Sequence, residues 1–153
     1  MSLVTLQDII EELPLDALPS NWTGLDVRTF SDRKHLWDYQ QRAVTNAITV
    51  LWKYYEDFAD FQPKENDQSN KERKRQFARW YRDNGLEESL DIQLNSNRYL
   101  TQLLANYYEI KDGTLGYEQF LNRACFWMAT GSGKTLVIVK LVEALRELIR
   151  RRE

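Results

Sequence analysis

The stretch Ala124-Cys125-Phe126-Trp127-Met128-Ala129-Thr130-Gly131-Ser132-Gly133-Lys134-Thr135 decides how this chain is read. It opens on a short, continuous apolar run, residues 124–128, of the kind a strand buried on both faces shows. Two glycines follow within three residues. From Lys134 to Arg152 apolar residues return at helical spacing, with Ile138, Leu141, Val142, Leu145 and Leu148 or Ile149 expected inward. Strand, glycine loop and helix in that order place the segment in the α/β class.

The loop carries chemistry. A polyphosphate presents several negative oxygens close together, and a chain holds it by converging backbone donors on one spot. Gly131 and Gly133 can take backbone angles closed to other residues. Their neighbours' N–H groups can then form an anion nest at the positive end of the following helix. In such a nest Thr130, Gly131, Ser132 and Gly133 cradle phosphate. Lys134 supplies a point charge to the β and γ oxygens, and the Thr135 hydroxyl ligates Mg2+. The strict pattern G-x-x-x-x-G-K-S/T places a glycine at position 128, where this chain has methionine. The competing reading is a glycine-rich turn ahead of a Lys-Thr helix start. The apolar run before the loop and the helical pattern after it favour the phosphate loop.

Composition bounds the rest. With 42% hydrophobic and 29% charged residues, the 153-residue chain is too apolar for a disordered one and suggests one domain or a piece of one. A single cysteine, Cys125, excludes an internal disulfide and reads as strand core. No apolar run approaches the roughly 20 residues that span a bilayer, so no membrane partner is expected. Six glycines and three prolines leave few helix breakers. The net charge of −2 hides an acidic opening, residues 1–32, and a basic run with Lys71, Arg73, Lys74, Arg75, Arg79 and Arg82. Such a run reads as a solvated helix face, with phosphate contact the sharper alternative.

Ser31 and Asp32 offer an N-cap to a helical pattern running to about Phe61. Its expected stripe is Leu36, Tyr39, Ala43, Ala47, Val50, Tyr54, Phe58 and Phe61, widened by Trp37, Val44, Ile48, Leu51 and Tyr55. Unbroken, it would be about 45 Å long at 1.5 Å per residue, so a kink near Trp52 is expected. Residues 62–70 are the linker candidate. Further helices are expected over about 71–83, stopped by Asn84-Gly85, and over about 97–109 with Leu100, Leu103, Leu104 and Tyr107 on one side. Turns are expected at Gly113 and Gly116, then a short helical stretch over about 117–122. His35 reads as an exposed histidine with no second histidine for a metal site, and Phe30 as core.

Residues 128–135, Met-Ala-Thr-Gly-Ser-Gly-Lys-Thr, resemble motif I of superfamily 2 DEAD/DEAH-type helicases and translocases. The branch most similar holds the ATPase subunits of type III and type I restriction enzymes. Upstream, Leu36-Trp37-Asp38-Tyr39-Gln40-Gln41-Arg42-Ala43 is similar to that family's Leu-x-x-Tyr-Gln-x-x-Ala signature. The resemblance implies that Gln40 reads the adenine edge, its amide offering donor and acceptor to N6 and N7. Gln41, one residue round the helix, is the weaker candidate.

The resemblance also implies an incomplete P-loop NTPase domain of RecA type, mostly helical, with one buried strand leading into the loop. On this reading residues 1–32 are an acidic N-terminal segment, and 33–52 with 118–153 begin the first helicase domain. Residues 53–117 are a helical insertion. The function implied is the N-terminal ATP-binding part of an ATP-dependent DNA helicase or translocase, the motor subunit of a type III-like restriction-modification system. Its cofactors are ATP and Mg2+. Its partners are double-stranded DNA and a modification or specificity subunit, and its location is the cytoplasm. No Asp-Glu pair follows Thr135, so the stretch alone is expected to be inactive. Two alternatives stay open: another P-loop NTPase, such as a kinase or AAA-type ATPase, or a non-catalytic helical binding module with a vestigial loop.

Overall fold

The computed structural model describes residues 4–61, 67–86, 90–94, 98–121 and 128–151. These form helices α1 (Leu6–Glu11), α2 (Asp38–Asp57), α3 (Asp67–Asp83), α4 (Arg98–Ala105) and α5 (Lys134–Arg150). Strands β1 (Thr29–Ser31) and β2 (Lys34–His35) pair antiparallel, as do β3 (Ile92–Gln93) and β4 (Thr114–Leu115). The described residues are therefore mostly helical with two small antiparallel sheets. The expected strand over residues 124–127 lies outside them.

The chain divides into two compact units, one of residues 7–59 and 125–153, the other of residues 1–6 and 60–124. In the first, α2 lies against α5. The core is built from Val44 and Ile48 of α2 and from Val137, Ala144 and Leu148 of α5. Leu18, Trp22, Leu25 and Leu36 of the preceding segment complete it. Residues 7–32 of the acidic opening are thus part of this body. Arg151 adds a tie by donating to the carbonyl oxygen of Thr23 at 2.5 Å. Phe30 packs on the same core.

The helix expected from Ser31 to Phe61 is corrected at both ends. Residues 29–35 are a hairpin, and α2 starts only at Asp38. The reason is local hydrogen bonding upstream. Asp26 Oδ1 accepts from the N–H groups of Arg28 (3.0 Å) and Thr29 (2.9 Å), turning the chain into β1. Leu36 N–H closes the hairpin on the Arg28 carbonyl at 2.8 Å. Trp37 is the N-cap residue, and Gln40 Oε1 reaches back to its N–H at 2.9 Å, which is half of a capping box. Trp52 lies inside an unbroken helix of 20 residues, so no kink is needed. The aromatic stripe also departs from expectation, since Trp37 (71%), Tyr39 (49%) and Tyr55 (49%) are exposed.

On α5 the inward face is rotated from the expected one. Val137, Lys140, Ala144 and Leu148 are buried, whereas Ile138, Val142 and Ile149 are exposed. Two apolar stripes, 137/141/144/148 and 138/142/145/149, both satisfy helical spacing, and contact with α2 selects the first. Buried Lys140 keeps its ammonium paired with Glu143 at 3.1 Å while its stem lies inside.

In the second unit α3 starts at Asp67, so residues 67–70 of the expected linker are helical; residues 62–66 lie outside the described ones. The helix ends where Asn84-Gly85 says it should. Gly85 has φ +95°, its N–H donates to Arg82 at 2.9 Å, and that of Leu86 donates to Tyr81 at 3.0 Å, a Schellman closure. Leu86 is buried along with Phe77, Ala78 and Tyr81. Several arginines of α3 are laced to nearby acids: Arg75 to Glu72, Arg79 to Asp83 and Arg82 to Glu118. Helix α4 is shorter than the expected 97–109, and Leu100, Leu103 and Tyr107 stand exposed. Asp112 and Gly113, both at positive φ, turn the chain between Lys111 and Thr114. Tyr117–Gln119 is a single 3-10 turn.

Candidate functional site

The loop from Ala129 to Gly133 is shaped by its glycines. Gly131 has φ +81° and Gly133 has φ +76°, both in the left-handed region that glycine enters without penalty. Ser132 N–H donates to the Ala129 carbonyl at 3.2 Å, which tightens the turn. Gly133 is the N-cap residue of α5 and brings no capping side chain to it. Leu136 N–H donates to the Gly133 carbonyl at 2.9 Å, and the Lys134 and Thr135 N–H groups ahead of it in the first turn are the helix-start donors that suit an anion. Thr130, Gly131, Lys134 and Thr135 are exposed along this rim, and Ser132 and Gly133 are half-buried. Lys134 folds its ammonium back on the Ala129 carbonyl at 2.9 Å. Ser132 Oγ is buried with no hydrogen-bond partner among the described residues. This orphaned hydroxyl, the uncapped helix start and the left-handed glycines fit a polyphosphate with its Mg2+.

The second part of the site comes from the first turn of α2, which meets the loop through two side chains. Gln40 is only 2% exposed. Its Oε1 accepts from Trp37 N–H and its Nε2 donates to the Ser132 carbonyl at 2.8 Å. Tyr39 donates its hydroxyl to the same carbonyl at 2.9 Å. The packing under the loop is close enough that a Cβ on Gly133 would lie 2.5 Å from Gln40 Nε2. Gln40 and residues 130–135, 90 or more positions apart in sequence, are thus brought together.

Sequence reasoning missed Tyr39, which was placed in the packed stripe. Its signal was the hydroxyl, which in a buried stripe would itself need a partner. A cleft of about 470 Å³ opens beside this turn, lined by Arg28, His35, Leu36, Trp37, Asp38 and Gln41. His35 is exposed at its edge. Gln41 donates Nε2 to the Leu36 carbonyl at 2.7 Å. Cys125 lies outside the described residues.

The family model for the type III restriction enzyme res subunit matches residues 33–152, well over half of the chain and spanning both parts of this site. The chain belongs to that family. No curated protein and no solved structure matches it. The type III res family is one of helicase-type ATPases, hydrolases that act on DNA and use ATP with Mg2+. Its match begins at Arg33, inside the β1–β2 hairpin, and runs through α2, α3, α4 and α5. No helix among the described residues is long and apolar enough to cross a membrane.

Proposed function

We propose that this res-family chain binds Mg2+-ATP through residues 130–135, as the nucleotide-binding part of an ATP-dependent DNA translocase that drives a type III-like restriction system. The observation that carries the reading is the joint between loop and helix. Two left-handed glycines stand ahead of an uncapped helix start, and the loop carbonyl of Ser132 is fastened from below by Tyr39 and Gln40. Fastening that carbonyl fixes the end of the loop, so that the N–H groups at the start of α5 are the donors phosphate oxygens would meet.

Lys134 is proposed to neutralise the β and γ oxygens and Thr135 to hold the metal. Gln40 belongs to the site as the residue that positions the loop. Bound Mg2+ supplies charge neutralisation between the β and γ oxygens; the chain supplies binding and orientation. Residues 53–117 are proposed as a helical insertion in a RecA-type domain. Double-stranded DNA and a modification subunit are the proposed partners, and the cytoplasm the proposed location.

The test is Lys134→Ala, read by calorimetric titration of the chain with Mg2+-ATP and with inorganic tripolyphosphate. Removing the charge-assisted contact should weaken both by tenfold or more, with an unchanged far-ultraviolet spectrum. Equal affinity for wild type and variant would refute the phosphate-loop reading.

A further inference from the structure

We propose that α3 is a contact helix for the phosphate backbone of duplex DNA, which it meets through the row Lys71, Arg75, Arg79 and Arg82 without reading sequence. The inference rests on the proposed DNA partnership and gives it a surface. It does not depend on the nucleotide loop, because every residue of the row lies in the unit that holds residues 60–124.

Three observations carry it. First, α3 is anchored on one side and charged on another. Phe77, Ala78 and Tyr81 are buried, and the bonds from Gly85 and Leu86 fix the end of the helix. Lys71, Arg75, Arg79 and Arg82 recur at intervals of four, four and three residues and are all exposed. At about 100° per residue that spacing keeps them within about 80° of one another around the axis, in a row about 16 Å long.

Second, the charges of the row can be given to a ligand. Among the described residues no acid pairs with the ammonium of Lys71, nor with that of its exposed neighbour Lys74. Arg75 stands 3.7 Å from Glu72 and Arg79 3.5 Å from Asp83, both longer than the roughly 2.7–2.9 Å of a close charge-assisted bond. Exposed pairs of that kind contribute little and exchange readily for a phosphate oxygen. Arg82 is held more tightly, by Glu118 at 2.6 Å and the Tyr117 hydroxyl at 3.3 Å, and fixes the C-terminal end of the row.

Third, the row selects its partner by what it lacks. None of the exposed large apolar side chains among the described residues lies on α3. The centre of a protein–protein interface is built on aromatic and apolar anchors, with charge depleted. A helix lying on a membrane turns an apolar face to the lipid, and that of α3 is spent within its own unit. A straight row of cations without such anchors fits a polyanion of regular charge. Duplex DNA offers one phosphate per about 1.7 Å of its axis, so each cation of the row has one to meet. Contacts of this kind fix orientation and carry no sequence information.

The test measures binding of the full chain to two labelled duplexes of unrelated sequence by fluorescence anisotropy, between about 50 and 200 mM salt. Lys71→Gln, Arg75→Gln and Arg79→Gln combined should reduce the steepness of log affinity against log salt by about 2.7, at about 0.9 per phosphate contact, equally for both duplexes. Arg75→Lys with Arg79→Lys should keep the wild-type slope. Arg33→Gln, Arg146→Gln and Arg150→Gln, which remove the same charge from exposed positions of the other unit, should keep it too. If the far-ultraviolet spectrum of the combined variant departs from wild type, Lys71→Gln alone should reduce the slope by about 0.9. Poly-glutamate should compete poorly with the duplex.

No duplex binding at the lowest salt, a wild-type slope in the combined variant and in Lys71→Gln, or an equal loss in the variant of the other unit would each overturn the proposal. Poly-glutamate competing as well as DNA of equal charge would make the partner an acidic protein and overturn it likewise. None of these outcomes touches the effect of Lys134→Ala on Mg2+-ATP. Conversely, a Lys134→Ala chain with unchanged nucleotide affinity leaves the slope of α3 standing.

Discussion

Gly133→Ala isolates how closely the first turn of α2 and the phosphate loop depend on each other. The substitution meets two separate obstacles. One is conformational: at φ +76° an L-residue costs about 1–2 kcal/mol relative to glycine. The other is steric: the new methyl would sit 2.5 Å from Gln40 Nε2, well inside contact distance. That nitrogen ends a flexible side chain, but the chain is buried and held at both amide atoms, so it yields only by breaking the bond to Ser132. A buried amide left unpaired costs about 1–3 kcal/mol, giving a total of about 2–5 kcal/mol.

Gly131→Ala is the matched control. Gly131 has φ +81° with nothing within 4 Å of the built methyl, so it meets the conformational obstacle alone. Urea unfolding followed by circular dichroism reads the difference. With m near 1–3 kcal/mol per molar, Gly133→Ala should lower the midpoint by roughly a further 1 M relative to Gly131→Ala. In a Gln40→Ala background the excess should vanish, a coupling of about 1–3 kcal/mol in the double-mutant cycle. Additive effects, or a Gly133→Ala no worse than Gly131→Ala, would refute the claim that Gln40 braces the loop.

Two further outcomes follow from the packing and the titrating groups. Ile48→Ala, at a fully buried core position, should cost about 2–5 kcal/mol, whereas Ile138→Ala, 61% exposed on α5, should stay within about 0.5 kcal/mol; comparable urea midpoints would show that the wrong face of α5 had been taken as inward. The Asp26 carboxylate is held below its ordinary range, chiefly by the Thr29 N–H. The folded state thus binds that proton less readily than the unfolded chain. Its stabilisation is full above about pH 4 and is lost as pH falls through the depressed value. Asp26→Asn should accordingly flatten the acid limb of the stability curve, and urea midpoints at pH 7, 5 and 3 that fall as steeply as the wild type's would contradict this.

What the sequence makes legible here is what local chemistry decides. Asn84-Gly85 ends α3 because a left-handed residue closes both Schellman bonds within six residues, with no help from elsewhere. Gly131 and Gly133 announce a loop for the same reason. The start of α2 was hidden because its cap is not a serine or aspartate but a tryptophan served by a glutamine three residues on. Ser31 and Asp32, which look like a cap, are turned into a hairpin by Asp26 further back. The inward face of α5 was hidden because two overlapping apolar stripes are equally periodic, and only the partner helix chooses between them.

The turn Tyr39-Gln40-Gln41 shows most sharply why a motif can point to a site and still leave its roles unassigned. At 3.6 residues per turn, successive side chains diverge by about 100°. Three adjacent residues therefore cannot share a target unless their lengths differ or one bends back. Tyr39, long enough to reach from the exposed side, and Gln40, short and buried, converge on one carbonyl from two directions. Gln41 is carried past the loop to the Leu36 carbonyl and the cleft. A glutamine that reads a base must keep an amide edge in reach of solvent. A glutamine that braces a loop must bury that edge. In this conformation Gln40 meets the second demand, its side chain buried and both amide atoms engaged, while Gln41 on the diverging face is spent on the Leu36 carbonyl.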